Sequence, residues 1–318
     1  MNGLAGPSGA SPRTMSTSRA PVDGFAAGTM LLLCAIWGAQ QVAIKLAVPH
    51  VAPIMQVAIR SGLSGLLVAG LGAWRGERAH WTGPTLRPGL LAGALFAVEF
   101  VFIAEGLRHT TASHMAVFLY TAPVFTALGL HLLLPAERLR PHQWLGILVA
   151  FAGIALAFLG GGARGGVTLA SLWGDLLGVL AGTAWGATTV VIRTSSLSEA
   201  PPAQTLLYQL AVSFVLLLGA AAASGQAGRI SLTPLAVGCL LFQGVVVSFA
   251  SYLAWFWLLR RYLATRLSVF SFMTPIFGVT FGVLVLGDPL SGSFVSGAAL
   301  VLAGITIVSG AGLVRRRA

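Results

Sequence analysis

The sequence predicts an all-α integral membrane protein of ten transmembrane helices, arranged as two inverted five-helix repeats. Three observations predict it. Charged residues make up 8% of the 318-residue chain against 56% hydrophobic. Ten apolar runs each approach the roughly 20 residues that a helix needs to cross a bilayer. The second half of the chain also repeats landmarks of the first at an offset of about 150 residues.

A soluble domain carries about a quarter charged residues, so a chain of mean hydropathy +0.87 has too little polar surface to face water. The net charge of +11 does not point to nucleic acid. Such binding needs a clustered basic face, and here the Arg residues stand singly or in twos and threes between apolar runs. Cys34 and Cys239 fall inside apolar runs, with no partner at metal-ligand spacing. Residues 1–24, rich in Gly, Ser, Pro and Arg, lack the apolar core of a cleavable signal peptide. They read as a disordered cytoplasmic tail, with the first helix as an uncleaved anchor.

In the first half, apolar runs near 25–47, 53–74, 88–107, 112–133 and 142–160 give five helices, and residues 25–160 form the first repeat. The second repeat, 170–314, has runs near 172–192, 202–223, 233–258, 264–286 and 294–313. Turn formers and charges mark the connectors. Pro49 and Pro53 bracket the first outer loop, Arg75 to Arg87 contains Gly76, Gly83 and Pro84, and residues 160–166 are mostly glycine.

Every loop is short, so the positive-inside rule applies to all of them. Fourteen of the 19 basic residues fall on the N-terminal side, among them Arg13, Arg75, Arg138, Arg193, Arg261 and Arg315. Arg108, Arg164 and Arg229 fall on the other, and Lys45 and Arg60 lie within spans. Both termini are expected in the cytoplasm, with the chain in a cell inner membrane.

The repeat shows in three places. Ser113 to Phe125 matches Thr265 to Phe277, with Val117/Val269, Phe118/Phe270, Pro123/Pro275 and Phe125/Phe277 identical. Gly146, Ala152, Gly153 and Ile154 match Gly297, Ala303, Gly304 and Ile305. Trp37-Gly38 matches Trp185-Gly186, and Lys45 matches Arg193. Five is odd, so the second copy enters the membrane from the opposite side. Secondary transporters use inverted repeats of this kind to open a central site to each face in turn.

These landmarks resemble the EamA-type family of the drug/metabolite transporter superfamily, from about Phe25 to Val314. Trp37-Gly38 with Lys45, Arg60, Pro123, Glu137-Arg138-Leu139, Gly174-Asp175, Trp185, Arg193, Pro275 and Gly287-Asp288-Pro289-Leu290 carry the likeness. The family more often has Glu where Asp288 stands, and the shorter carboxylate keeps the charge. The resemblance implies a ten-helix carrier exporting amino acids, related metabolites or drugs, with no single motif naming the substrate.

Glu99 lies mid-helix, where an ionised carboxylate costs about 2.5–3.5 kcal/mol on insertion scales. It reads either as a proton-coupling site or anchor for a substrate ammonium, or as one half of an ion pair with Arg60 or Lys45. Arg60, at 1.5 Å per residue, sits about 10 Å below the outer end of its helix, where a substrate carboxylate or Glu99 is its expected partner. Lys45 and Glu105 are placed near outer helix ends, where long side chains reach the headgroups. Glu137, Asp175 and Asp288 read as helix-start caps.

Trp37 and Trp185 are mid-helix, away from the interfacial belts where membrane Trp collects. They are expected to face a shared cavity, with Gln40, Gln41 or a substrate taking the Trp37 indole N–H. Pro123 and Pro275 break helices at matching positions, the pattern that marks transport sites. Tyr120, Phe118, Phe270, Phe272, Trp255 and Trp257 are the aromatics near that cavity. Candidate substrate-binding residues are therefore Trp37, Arg60, Glu99, Tyr120 and Trp185, and candidate pathway or gating residues Lys45, Pro123, Pro275, Phe270 and Trp255.

His109 and His114, five apart, do not share a helix face and read as interfacial residues. No phosphate-binding loop, zinc signature or nucleophile elbow is present, so neither cofactor nor metal is expected. The expected partners are a small-molecule substrate and the lipid bilayer, with the chain a monomer or homodimer. A rival reading, an intramembrane enzyme, has only Glu99 with His114 as a loose acid/base pair.

Overall fold

The computed structural model describes residues 23–76, 81–135, 138–159, 168–262 and 270–314. Arg13, Glu137, Arg164, the glycine-rich 160–166 and the terminal Arg315 lie outside the described residues, as do nearly all of the expected tail and the start of the Thr265 to Phe277 match. Among the described residues the chain is helical apart from links and a single β-bridge between Val51 and Ile230.

The first half holds α1 Gly24–Ala47, α2 Pro53–Trp74, α3 Leu86–Gly106, α4 Ala112–Leu119, α5 Ala122–Leu133 and α6 Pro141–Leu159. The second holds α7 Leu169–Thr194, α8 Pro202–Ala223, α9 Pro234–Leu241, a π-helical segment Phe242–Ser251, α10 Tyr252–Arg261, α11 Met273–Leu286 and α12 Gly292–Val314. Local chemistry sets the starts. Asp23 accepts from the Ala26 N–H at 2.8 Å to cap α1. Thr111, Thr168 and Thr233 do the same for α4, α7 and α9. Proline opens α2, α8 and α9, where its missing N–H costs nothing. Gly287, at φ 69°, ends α11 in the left-handed conformation that favours glycine.

Among the described residues seven stretches are long and apolar enough to cross a membrane: Gly24–Ala47, Pro53–Trp74, Leu86–Gly106, Ala112–Leu133, Leu169–Thr194, Pro202–Ala223 and Pro234–Trp255. The other three expected runs correspond to the apolar helices α6, α11 and α12. The run expected from residue 264 is cut short because 263–269 lie outside the described residues. Large apolar side chains point outward, with Leu66 74%, Leu132 80% and Leu284 75% exposed. A surface of this kind suits lipid rather than water.

The halves interlock rather than lie side by side. α1 packs on α11, α2 on α8, α3 on α7 and α8, and α7 on α4 and α5. The α6–α12 pair is the tightest. A Cβ on Gly153 would stand 2.6 Å from the Gly297 carbonyl oxygen, and one on Gly304 2.5 Å from that of Gly146. Backbone meets backbone at two levels, the close approach that drives helix association where lipid removes the hydrophobic effect.

Among the described residues the helices depart from regular α-geometry at three places. Tyr120 and Thr121 separate α4 from α5, with Pro123 in the first turn of α5 and the Thr121 hydroxyl donating to the Phe118 carbonyl at 2.6 Å. Ser271 and Phe272 precede α11, which carries Pro275 in its first turn. The third is the ten-residue π segment between α9 and α10, which no proline announces. Wide helical turns of this type leave carbonyls off-register and gather at functional sites.

Candidate functional site: a central aromatic cavity

Where α1, α3, α7, α8 and α10 converge on the α4–α5 break, they enclose a cavity of about 260 Å³. Its wall includes Trp37, Glu99, Tyr120, Trp185 and Trp255. The aromatic residues come in edge-to-face pairs, Trp37 with Trp255 at 5.9 Å and Tyr120 with Trp185 at 5.3 Å between ring centroids. Such pairing holds the rings in place at about 0.5–1.5 kcal/mol per pair beyond burial. The Trp37 indole N–H donates to the Ser251 hydroxyl at 2.8 Å, not to Gln40 or Gln41. Ser251 ends the π segment and donates to the Val247 carbonyl, so the irregular helix supplies the acceptor.

Glu99 is 5% exposed, and its Oε2 has no hydrogen-bond partner. Neither expected ion pair forms. Lys45 donates instead to the Thr110 carbonyl in the α3–α4 link. Arg60 is fully buried, its three guanidinium nitrogens lack hydrogen-bond partners, and its Cζ lies 3.7 Å from the centroid of the Phe100 ring. Arg60 therefore does not line the cavity as expected. Phe100, the next residue along α3, stands in the wall and covers it.

The gating candidates divide. Trp255 is in the wall. Pro123 lines a neighbouring cleft of about 430 Å³ that shares Trp185 and Thr189 with the cavity. Phe270 and Pro275 are not in the wall. Phe270 packs with Trp37 and Trp255 against Met30 and Cys34, and its carbonyl accepts from the Cys34 thiol at 3.1 Å. Phe118 is buried in a separate core, and Trp257 stands 41% exposed, edge-on to Phe25.

Several polar residues change role at one end of the bundle. Asp175 is seven residues into α7, whose cap is Thr168, so it does not cap its own helix. It accepts from the Thr110 hydroxyl, and His114 Nδ1 lies 2.9 Å from its Oδ2. His114 also stacks on Phe294 at 4.0 Å, and is an internal strut rather than an interfacial residue. This engagement removes it from any pairing with Glu99. Asp288 accepts from the N–H and hydroxyl of Ser113, and so caps α4 rather than the helix that follows it. Glu105 stays at the surface, 2.8 Å from Arg108.

The wall also holds groups that the sequence reading passed over: Thr188, Gln209 and Tyr252. Gln209, an amide inside an apolar run, was the detectable one. Among the described residues no group of three or more His, Cys, Asp or Glu is placed to hold a metal.

Comparison with known proteins agrees with this architecture. A solved crystal structure of a protein superposes with a TM-score of 0.64 over 92% of this chain and 99% of its own, at 19% identity, a likeness of fold alone. A protein of Salmonella typhimurium named as a probable amino-acid metabolite efflux pump is 27% identical over 90% of this chain and 94% of its own length. The inner membrane transporter YedA of Escherichia coli is 26% identical, covering 83% and 84%. An Archaeoglobus fulgidus transporter is 24% identical, covering 88% and 96%. The profile of the EamA-like transporter family matches residues 24–159 and again 172–310, and the chain belongs to that family of multi-pass membrane transporters.

Proposed function

We propose that the chain is a secondary carrier that exports amino acids or related small metabolites by alternating access, with the central cavity as its binding site. The observation that carries this reading is Glu99, a carboxylate with an unpartnered oxygen held in the wall of an aromatic cavity inside the membrane. An intramembrane ionisable group is kept at a cost, and a substrate or proton that meets it accounts for that cost. The efflux-pump name of the Salmonella relative supports amino-acid metabolites as the cargo.

Ten crossings in two inverted halves supply the moving parts. Repeat-matched residues meet repeat-matched residues: a Cβ on Gly38 would lie 2.8 Å from that of Phe277, and one on Gly186 2.9 Å from that of Phe125. Trp37 and Trp185, beside those glycines, both face the cavity. Each half therefore grips the other through the same pair of contacts, the arrangement in which one half rocks against its mate.

With both termini cytoplasmic, the network of Lys45, Thr110, Asp175, His114, Ser113 and Asp288 lies at the outer end. It ties α1, the α3–α4 link, α7 and the α11–α12 link together, and closes the outer face. One chain carries both halves of the pathway, so a monomer suffices.

Uptake of radiolabelled amino acids of aromatic, aliphatic and hydroxylated classes into liposomes holding the purified protein tests the reading, with and without a pH gradient. Saturable uptake that Glu99→Gln abolishes in a folded protein is the expected outcome. Undiminished uptake by Glu99→Gln would remove Glu99 from the mechanism, and absence of uptake of every class would remove the amino-acid reading.

A further inference from the structure

A zwitterionic substrate calls for two opposite charges at its site, and among the described residues the cavity wall offers an acidic side chain and no basic one. The Glu99 carboxylate is in the cavity wall with Oε2 unpartnered. The Arg60 guanidinium is fully buried against the Phe100 ring, which itself forms part of that wall. Among the described residues no Lys, Arg or His lines the cavity. Its remaining polar groups, such as Gln41, Thr188 and Gln209, are uncharged.

Building on the carrier reading above, we propose that this cavity selects a monovalent organic cation, an amine on an aromatic or apolar body, over the corresponding zwitterion. An ammonium satisfies the lone Glu99 oxygen and is attracted to the ring faces around it. A substrate carboxylate has no cation to meet in the wall and lies in the field of Glu99, so its desolvation goes uncompensated. The volume of about 260 Å³ is below the roughly 300–1,000 Å³ of drug-sized pockets, which fits a body of one ring. Phe100 is then a specificity-determining residue, since it stands in the wall with the Arg60 guanidinium stacked on its ring.

Three probes with one body and different charge test this: phenethylamine, phenylalanine and 3-phenylpropionate. Binding to the purified full chain in nanodiscs is read by quenching of the cavity tryptophans, and transport of the same three by counterflow in liposomes. Phenethylamine is expected to bind at least about tenfold more tightly than phenylalanine, and 3-phenylpropionate to be weakest. Glu99→Gln should erase the amine preference. Phe100→Ala, by uncovering the guanidinium, should shift the ratio toward phenylalanine, a directional change that general loosening of the fold does not produce. Phenylalanine binding as tightly as the amine, or an unchanged ratio in Phe100→Ala, overturns the inference and leaves the carrier intact. Amino-acid transport without any binding of phenethylamine does the same, whereas neither binding nor transport of these probes, together with no uptake of any amino-acid class, overturns both readings.

Discussion

The Asp288 carboxylate accepts hydrogen bonds from both the backbone N–H and the hydroxyl of Ser113, at 2.9 and 2.8 Å, across 175 residues of chain. Ser113 is in the first turn of α4, where N–H groups have no helical partner and the helix end is positive. An acidic residue from the second half thus completes a helix of the first. Asp288→Ala leaves a buried N–H unsatisfied and should cost about 1–3 kcal/mol. A lowered melting temperature in detergent checks it, with Asp288→Asn intermediate; no change for Asp288→Ala would show that water replaces the carboxylate without loss.

Asp175 holds the neighbouring residues Thr110 and His114 from α7. It is 3% exposed, so truncation strands a hydroxyl and an imidazole together. Asp175→Ala should destabilise by about 1–3 kcal/mol, the cost of leaving buried hydrogen-bonding groups unsatisfied. Thermal unfolding of Asp175→Ala and His114→Ala singly and together measures the coupling of the pair, the Thr110 hydroxyl being stranded in both Asp175 variants; strictly additive losses would show that the pair contributes nothing.

The α6–α12 contact should tolerate no side chain. A Cβ on Gly297 would meet the Gly153 oxygen at 2.6 Å and Ala157 Cβ at 2.8 Å, so Gly297→Val must push the helices apart. We expect overpacking of at least about 1–3 kcal/mol and loss of the monodisperse peak in size-exclusion chromatography. Gly292→Ala, with open space around its Cβ, is the control and should behave as the parent.

The start of α1 is pinned to the end of α10 by the Tyr262 hydroxyl, which donates to Asp23 at 2.9 Å. The Ala26 N–H, and then the Tyr262 hydroxyl, hold the Asp23 carboxyl below its ordinary value of 3.8, while the bond to Asp23 raises the Tyr262 phenol above 10.0. The signs follow from linkage. The Asp23 contribution is present above about pH 4 and lost as pH falls through its lowered pKa. That of Tyr262 is present below about pH 10 and lost as pH rises through its raised one. The protection of the first amides of α1, taken relative to the intrinsic exchange rate at each pH, should therefore be greatest between these limits. Tyr262→Phe should abolish the alkaline loss, and an identical profile in that variant would refute the tether.

Apolar length, proline and turn residues act locally, so the positions of the helices and the break before Pro123 could be read from the chain alone. Glu99 and the mid-helix tryptophans could be singled out because a polar or amphipathic group deep in a membrane needs a reason to be there. The π segment could not, because no residue in Phe242–Ser251 forbids an ordinary α-helix. Its wide turns are set by the helices around it, and its end supplies the partner of Trp37.

Thus the sequence by itself determined that the chain is a membrane-embedded helical protein, where its helices fall, and which few polar residues lie inside them, because hydrophobic length and backbone stereochemistry are properties of short segments. Tertiary structure alone decided the partners of those polar residues. Asp175 and Asp288 hold α4 instead of capping their own helices, Lys45 serves a carbonyl, and Arg60 stacks on Phe100 without a hydrogen bond to Glu99. A side chain of a few ångströms meets whatever the crossing helices bring to it, and that meeting is fixed by packing between segments far apart in the chain.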